Sequence, residues 1–445
     1  MGADRRPGDR AGQTGRLASC AASTAGRDRR GGRPGRSRRE EAGVVNRHEP
    51  RLMIYSQDGL GLGHMRRTSL LAQEFLDRTP DGSVLTVSDS PLGQFFATAA
   101  GHDFLKLPSI RKTGPGVWEA VSLSVSFDEV LRLRTQLIAS AIESFDPQVV
   151  LVDHMPHGAM GELVPALRAV AGRRTRVVLG LRDILDASDV VRRRWTAEGA
   201  YETLEEFYDE VLVYGQQDVL DVASEYAWPA SIARRVSYTG YVCADPPRRP
   251  SPNGSGPWQG GRTPKVLVVA GGGADAFPMF SAVLDAAPAV NAATGSEFLM
   301  VTGPFMPDGH VRSLRQRASR LPMVELRRKF HGRNKIARAD LVVSMAGYNT
   351  TVEVLAAGTP ALLIPRSGPS AEQRTRAELF ADRSWVRWLD PLNLDADVVA
   401  DGIRAGLEEA LTPASRPELT GREAAVSFLT QDFAPIAPSL TASMR

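Results

Sequence analysis

The stretch DLVVSMAGYNTTVEVLAAGTPALLIPRSGPSAEQRTRA, residues 340–377, decides the fold class of this chain. Residues 341–344 are a short β-branched apolar run, which predicts a buried strand. A turn around Gly347 separates this strand from a helical pattern over residues 350–357. A Gly-Thr-Pro sequence ends the helix, and residues 361–364 predict a second buried strand. The stretch therefore predicts a βαβ unit of a parallel sheet.

The turn after the first strand of such a unit lies at the carboxyl edge of the sheet. Backbone N–H groups and the helix dipole favour an anion there, so a phosphate is expected beside Gly347 and Thr350. Glu353 follows in the first turns of the helix and has two interpretations. It forms a capping box with Thr350, or it accepts hydrogen bonds from a ribose diol while the helix start holds the diphosphate.

The series Gly347, Thr350, Glu353, Gly358-x-Pro360, Pro365 and Glu372-Gln373 resembles the donor-binding signature of GT-B glycosyltransferases. Within that class it is most similar to the MurG-type N-acetylglucosaminyltransferases, which use UDP-sugars. The resemblance implies an α/β protein of two Rossmann-like, doubly wound domains facing across a cleft. It also implies that Gly347 and Thr350 contact the diphosphate, Glu353 the ribose, and Gln373 the sugar or the ribose edge.

The chain departs from the MurG-type pattern at a few positions. Met345 stands where those enzymes often have a polar residue, Tyr348-Asn349 replace a small apolar pair, and Arg376 replaces an Asn. These departures leave the donor sugar and its base open.

Residues 51–76 predict a strand, a glycine-rich loop and a helix that starts near His64. Gly59, Gly61 and Gly63 let the backbone turn sharply and approach a ligand. The positive end of the helix dipole favours the neutral form of His64, which suits a general base that takes a proton from an acceptor hydroxyl. The alternative is a His that caps the helix or packs on the sheet.

The string Gly61-x-Gly63-His64-x-x-Arg67 resembles both MurG-type transferases and the UDP-sugar hydrolase of pseudaminic acid synthesis. It implies that Gly61, Gly63 and Arg67 face the acceptor or a phosphate. The two families share one architecture but differ in whether the sugar goes to an alcohol or to water.

Two polar residues, Asp153 and His154, directly follow a predicted strand at residues 148–152. Ligands of open α/β sheets bind at this edge, so either residue is a candidate to orient His64 or to meet the acceptor. Asp153 has the alternative role of capping a helix near Gly161, and His154 that of a plain loop residue. The preceding helix, residues 127–145, is amphipathic. Its predicted apolar side consists of Val130, Leu131, Leu133, Leu137, Ile138 and Ile142.

A second α/β domain opens with the strand pattern of residues 265–270 and three glycines, Gly271, Gly272 and Gly273. Glycines directly after a strand suit backbone contact with a diphosphate, although a plain structural turn is the alternative. In the resembling families the loop at residues 330–332 holds the nucleotide base.

Composition divides the chain into five parts. Residues 1–49 predict a disordered basic tail. Residues 50–243 predict an N-terminal acceptor domain, and a Pro- and Gly-rich linker at residues 244–264 separates it from a donor domain at residues 265–411. Residues 412–445 predict a C-terminal segment that crosses back to the first domain, as in GT-B folds. The first 47 residues hold 12 Arg against 5 acidic residues, so the net charge of +3 for the whole chain leaves −4 for the remainder. An upstream start wrongly assigned to the reading frame is an alternative origin of the tail. A nucleic-acid-binding arm is disfavoured because no aromatic residues are interleaved.

The 445 residues include two cysteines, Cys20 and Cys243, which predicts neither a disulfide framework nor a thiolate metal cluster, and a cytoplasmic location. No apolar run of about eighteen residues exists, so no transmembrane helix is expected.

These features together predict a glycosyltransferase that moves a sugar from a UDP-sugar to an acceptor hydroxyl by metal-independent, inverting displacement, without a cofactor. His64 would be the base, with Asp153 beside it. A nucleotide-sugar hydrolase and a non-catalytic sugar-nucleotide sensor are the alternatives. The acceptor is not determined; a lipid-linked acceptor with peripheral contact at the inner face of the membrane stays open, and no nucleic-acid partner is expected.

Overall fold

The computed structural model describes residues 49–57, 63–91, 99–114, 117–245, 263–329 and 335–433. The predicted basic tail, Gly59, Gly61, most of the predicted linker and the loop at residues 330–332 lie outside the described residues.

The N-terminal half contains a seven-stranded, wholly parallel sheet in the order β3-β2-β1-β6-β7-β8-β9. Its strands are apolar because helices cover both faces of a parallel sheet. They are β1 (Arg51–Ser56), β2 (Ser83–Ser88), β3 (His102–Lys106), β6 (Val149–Asp153), β7 (Arg176–Arg182), β8 (Glu210–Tyr214) and β9 (Val236–Tyr238). A separate antiparallel hairpin, β4 (Ile110–Gly114) and β5 (Val117–Ala120), was not foreseen from the sequence.

Seven α-helices belong to the described part of this half. They are α1 (Gly63–Arg78), α2 (Phe127–Phe145), α3 (Val164–Val170), α4 (Ser188–Glu198), α5 (Ala200–Phe207), α6 (Val222–Glu225) and α7 (Ala230–Ala233). The boundaries of α2 agree with its sequence prediction, because Ser126 and Glu129 form a complete capping box at its start. That motif fixes a helix start locally.

The C-terminal half contains a six-stranded parallel sheet in the order β12-β11-β10-β13-β14-β15. Its strands are β10 (Lys265–Val269), β11 (Glu297–Val301), β12 (Val324–Arg327), β13 (Leu341–Ser344), β14 (Ala361–Leu363) and β15 (Arg387–Trp388). Its helices are α8 (Phe277–Thr294), α9 (Asp308–Ala318), α10 (Tyr348–Ala357), α11 (Glu372–Asp382) and α12 (Ala396–Glu408).

The last helix of the described chain, α13 (Gly421–Thr430), packs on α1 of the N-terminal half. The backbone of Tyr241 bonds to Glu418 and Gly421 on either side of the helix start. Arg78 donates to Ser427, and Arg422 pairs with Glu74. The chain therefore crosses back after the second sheet.

Both sheets reverse strand order at one point, between β1 and β6 in the first and between β10 and β13 in the second. Ligands of doubly wound sheets bind outside the carboxyl ends of the strands at such a switch point. The four loops that carry most of the candidate residues leave these four strands. The topology therefore brings them to one cleft.

Two element boundaries differ from the sequence predictions. Helix α10 begins at Tyr348 rather than near Thr350, because Gly347 is its N-cap residue with an extended backbone. The sequence of residues 392–411 predicts a helix, but α12 begins at Ala396, after a loop that contains the exposed Leu392, and it ends at Glu408.

The predicted apolar side of α2 is wrong at one position. Leu133 is 41% exposed, while the next residue, Arg134, is fully buried. Arg134 donates to both carboxylate oxygens of Glu162 at 2.5 Å each, which satisfies a charge that hydrophobic periodicity does not anticipate. In the described part of the chain, no helix combines the length and apolar content that crossing a membrane requires.

Candidate active site

A cavity of about 390 Å³ lies between the carboxyl edges of the two sheets. The described residues that line it include Arg66, Arg67, Arg182 and Arg366, together with Asp275 and Glu372. Each of these arginines pairs with a carboxylate, so a dianionic diphosphate bound here would have to share or exchange those partners.

The glycine loop after β10 forms one wall of this cavity. Gly271 and Gly273 have positive φ angles of 52° and 85°. A Cβ atom on Gly273 would lie 1.8 Å from the carbonyl oxygen of Thr302, so this position requires glycine. Close packing against Thr302 therefore explains the glycine at position 273, whether or not the loop also contacts a ligand.

The start of α10 forms another part of the cavity wall. Gly347, Tyr348, Asn349 and Thr350 line the cavity, and no side chain caps the helix. The first N–H groups of a helix lack intrahelical acceptors, so this end offers donors and the positive end of a dipole to an anion. Gln373 lines the same cavity, and its Oε1 accepts the backbone N–H of Arg366 at 3.1 Å.

The predicted capping box between Glu353 and Thr350 is wrong. The N-cap of α10 is Gly347, three residues earlier than that box requires. The carboxylate of Glu353 instead accepts a hydrogen bond from the guanidinium of Arg66, which lies on α1 of the other half. A ribose that used this carboxylate would have to share it with Arg66 or displace it.

His64 and Asp153 lie in direct contact, as their predicted roles require. The Nδ1 of His64 is 2.5 Å from Oδ2 of Asp153. Although burial alone would raise the pKa of Asp153, the charges and hydrogen bonds of Arg67 and His64 hold it well below its usual range. Because an ionised carboxylate only accepts, the hydrogen bond assigns a proton to Nδ1 of His64. His64 also lines the cavity.

Asp153 does not cap a helix: the next α-helix, α3, has Leu163 as its N-cap residue. The other oxygen of Asp153 accepts from Nη2 of Arg67 at 2.6 Å. Arg67 is only 1% exposed, and its Nη2 lies 3.1 Å from Nδ1 of His64. Arg67 thus directs its charge inward at Asp153 rather than standing free on the acceptor loop. Gly63, the first residue of α1, lines the cavity beside it.

His154 lies beside the pair with a strained backbone. Its φ angle is 78°, which is uncommon outside glycine, and its ring centre is 5.4 Å from that of His64. Burial, followed by the charge of Arg182, holds the pKa of His154 well below its usual range, so the ring is neutral. Its Nδ1 is buried and has no hydrogen-bond partner among the described residues. The loop-residue interpretation does not explain these features, and the role toward an acceptor stays a prediction.

A chain of four charged side chains, two of which line the cavity, joins the two halves, and sequence reasoning did not find it. Arg182 donates to both oxygens of Glu372 at 2.9 Å. Arg376 pairs with Glu372 at 3.0 Å and with both oxygens of Asp183. The unusual Arg in place of Asn at position 376 was the available signal, since a buried Arg needs carboxylate partners.

Part of the chain is similar in sequence to known proteins. Residues 266–430 match the family model described as the glycosyltransferase family 28 C-terminal domain. A UDP-N-acetylglucosamine--N-acetylmuramyl-(pentapeptide) pyrophosphoryl-undecaprenol N-acetylglucosamine transferase from Chromobacterium violaceum is 34% identical over 184 residues. That match covers 38% of this chain and 48% of the relative, so the chain spans about half the length of the curated relative it matches.

Solved structures match over nearly the whole fold. MurG from Acinetobacter baumannii has a TM-score of 0.53 at 13% identity, covering 86% of this chain and 99% of that one. UDP-GlcNAc 2-epimerase from Neisseria meningitidis, bound to UDP-GlcNAc, has a TM-score of 0.55 at 13% identity, covering 86% and 100%. At these identities the likeness concerns the fold.

The fold and its cleft define the chain as a GT-B protein, as the sequence predicted. More particularly, the family 28 domain and the 34% identical relative confirm the resemblance to MurG-type glycosyltransferases.

Proposed function

We propose that this protein is a glycosyltransferase that moves a sugar from a UDP-sugar to an acceptor hydroxyl with inversion at the anomeric carbon. The observation that carries the proposal is the placement of His64, oriented by Asp153, in the same cavity as the glycine loop and the start of α10. Such a displacement needs two elements, a proton acceptor and an anion-binding helix N-terminus. Here they lie on opposite sides of one cleft.

In this mechanism the acceptor hydroxyl gives its proton to Nε2 of His64 while its oxygen attacks the anomeric carbon. The bond from that carbon to the diphosphate oxygen breaks, and negative charge builds on the departing UDP. Backbone N–H groups at the start of α10 and in the loop of Gly271, Gly272 and Gly273 stabilise this charge. Asp153 stabilises the imidazolium that forms on His64.

The mechanism uses no metal ion, and the arginines at the cavity pair with Glu353, Glu372 and Asp275, which they would have to exchange to reach a diphosphate. The guanidinium groups of Arg66, Arg182 and Arg366 line the cavity. Within the described residues, no group of three or more His, Cys, Asp or Glu side chains is arranged to hold a metal ion. Turnover is expected to be unchanged by EDTA; loss of turnover with EDTA and its recovery with a divalent cation would contradict metal independence.

A UDP-sugar donor is supported by the family 28 domain and by the UDP-N-acetylglucosamine named for the 34% identical relative. A lipid-linked acceptor is supported by the undecaprenol compound in that name. It is also supported by exposed apolar side chains in and after the β4–β5 hairpin and on α2. These are Val117, Val121, Leu123, Val125 and Leu133.

The proposal is tested by incubating the protein with a panel of UDP-, GDP- and dTDP-sugars and measuring nucleotide release with and without a lipid extract as acceptor source. Release that needs the extract supports the transferase and identifies its donor. Equal release in buffer alone supports the nucleotide-sugar hydrolase, and binding without release supports the sensor; either result contradicts the transferase.

His64→Ala is expected to lower turnover by about 10²-fold or more, because removal of a general base costs roughly that factor. Binding of UDP should persist. His310→Ala is the matched control, since His310 is exposed on α9 and outside the cavity. Turnover of His64→Ala at the wild-type rate would remove His64 from the mechanism.

A further inference from the structure

Tyr348, the first residue of α10, places its side chain in the N-terminal half of the protein. The residue is 4% exposed. Its hydroxyl donates to the carbonyl oxygen of Tyr214 at 2.9 Å and accepts the backbone N–H of Val242 at 2.9 Å. The residue at the start of the donor-side helix is therefore anchored to the opposite half of the cleft.

The ring of Tyr348 also forms part of a buried column of alternating aromatic and guanidinium groups. The Cζ of Arg67 lies 5.3 Å from the ring centre of Tyr214 and 5.6 Å from that of Tyr348. The Cζ of Arg376 lies 5.6 Å from the ring centre of Tyr348. The column thus runs from Tyr214 through Arg67 and Tyr348 to Arg376, and crosses from one half to the other.

A carboxylate holds each guanidinium of this column. Asp153 accepts from Arg67, and Asp183 accepts from Arg376 at two atoms. Cation–π contacts are stronger when the partners are desolvated, as these buried groups are. No described residue forms a hydrogen bond with the buried Nε of Arg67, so Asp153 and the two rings are the main constraints that the structure records on this guanidinium.

We propose that Tyr348 is a positioning residue. Through Arg67 and Asp153 it holds the imidazole of His64 at a fixed position relative to the N-terminus of α10. The proposal rests on the proposed function, in which His64 removes the proton and α10 receives the leaving diphosphate. Tyr348 supplies both the first backbone N–H of α10 and the ring against Arg67. One residue therefore links the position of the base to the position of the leaving group.

The expected consequence is a loss of turnover without a loss of donor binding. Tyr348→Leu removes the ring but leaves the backbone of α10, so kcat should fall roughly 10- to 100-fold, as expected for a displacement of about 1 Å at the base. The dissociation constant for UDP should stay within about twofold. Tyr348→Phe keeps the ring on Arg67 and should retain most of the wild-type kcat.

A double variant separates this role from a general structural one. If Tyr348 acts through His64, then His64→Ala combined with Tyr348→Leu should have the turnover of His64→Ala alone, whereas independent effects multiply. Phe280→Leu is the packing control, because Phe280 is fully buried in the core of the C-terminal half. It should lower the Tm while leaving kcat unchanged.

An NMR measurement tests the inference without relying on turnover. The Nδ1 proton of His64, bound to Asp153, should give a downfield proton resonance in NMR that is absent in His64→Ala. Loss of this resonance in folded Tyr348→Leu and its retention in Tyr348→Phe would support the proposal, even if no nucleotide sugar is turned over and the proposed function fails. An unchanged resonance or an unchanged kcat in Tyr348→Leu would overturn it.

Discussion

At the scale of single residues, the carboxylate of Glu353 shows how a sequence motif acquires a different partner in the folded chain. Its spacing from Thr350 is typical of a capping box, but the helix starts earlier and the carboxylate pairs with Arg66 across the cleft. The side chain of Glu353 is 17% exposed, so the pair is accessible to a competing ligand. A ribose at this position would therefore share the carboxylate with Arg66 or displace it.

Glu353→Ala is expected to weaken UDP binding by roughly 10- to 100-fold, since a hydrogen bond to a charged group contributes about 1.5 to 3 kcal/mol. Isothermal titration calorimetry with UDP measures the change. Glu378→Ala is the matched control, because Glu378 pairs with Arg374 outside the cavity. Equal affinities of Glu353→Ala and the wild type would exclude the ribose role.

At the scale of secondary-structure elements, α2 shows where periodicity fails. Its ends follow from local signals, the capping box at Ser126 and the left-handed residue Asp146 after its last turn. Its buried face does not, because Arg134 lies inside and Leu133 outside. Apolar periodicity assumes an apolar core, whereas Glu162 and Gln57 supply polar partners at this point of the N-terminal half.

Arg134 and Leu133 offer a paired test on neighbouring positions. Arg134→Leu leaves the buried Glu162 without its cation, and should lower the free energy of unfolding by about 3 to 5 kcal/mol. Leu133→Ser changes an exposed side chain and should stay within about 0.5 kcal/mol of the wild type. Urea denaturation measures both, and the hypothesis fails if Arg134→Leu is as stable as Leu133→Ser.

At the scale of the whole molecule, close backbone contacts hold the crossing segment against the N-terminal half, and long-range ion pairs join the two halves. Helix α13 begins at Gly421 directly against the backbone of Gly240. A Cβ atom on Gly421 would lie 2.3 Å from the carbonyl oxygen of Gly240, so the contact excludes any side chain. The apolar cluster that includes Tyr241 and Tyr348 contains residues of both sheets, which makes the docking of α13 part of the common core.

Gly421→Ala is expected to lower the free energy of unfolding by about 1 to 3 kcal/mol, the usual cost of overpacking, and to loosen α13. Gly309→Ala, in the first turn of α9, is the control, because the nearest atom to its added Cβ would be 4.0 Å away. Hydrogen exchange of α13 amides reports the loosening. Equal protection of α13 in both variants would show that the contact does not hold the helix.

The sequence by itself determined the alternation of strands and helices, the glycine loop after β10, the histidine at the start of α1 and the turn before α10. These features follow from local rules: apolar period, backbone freedom of glycine and helix-end signals. The β4–β5 hairpin was not predicted from the sequence. Its two strands are short and largely exposed, and they show little apolar alternation.

Only the tertiary structure decided which carboxylate meets which cation. Asp153 and Arg67 are 86 residues apart, and Asp183 and Arg376 are 193 apart, so no local spacing relates them. A buried guanidinium must find a carboxylate wherever the fold places one, because an unpaired charge in the interior is too costly. The two facing sheets supply those partners, and in doing so they set His64 opposite the start of α10.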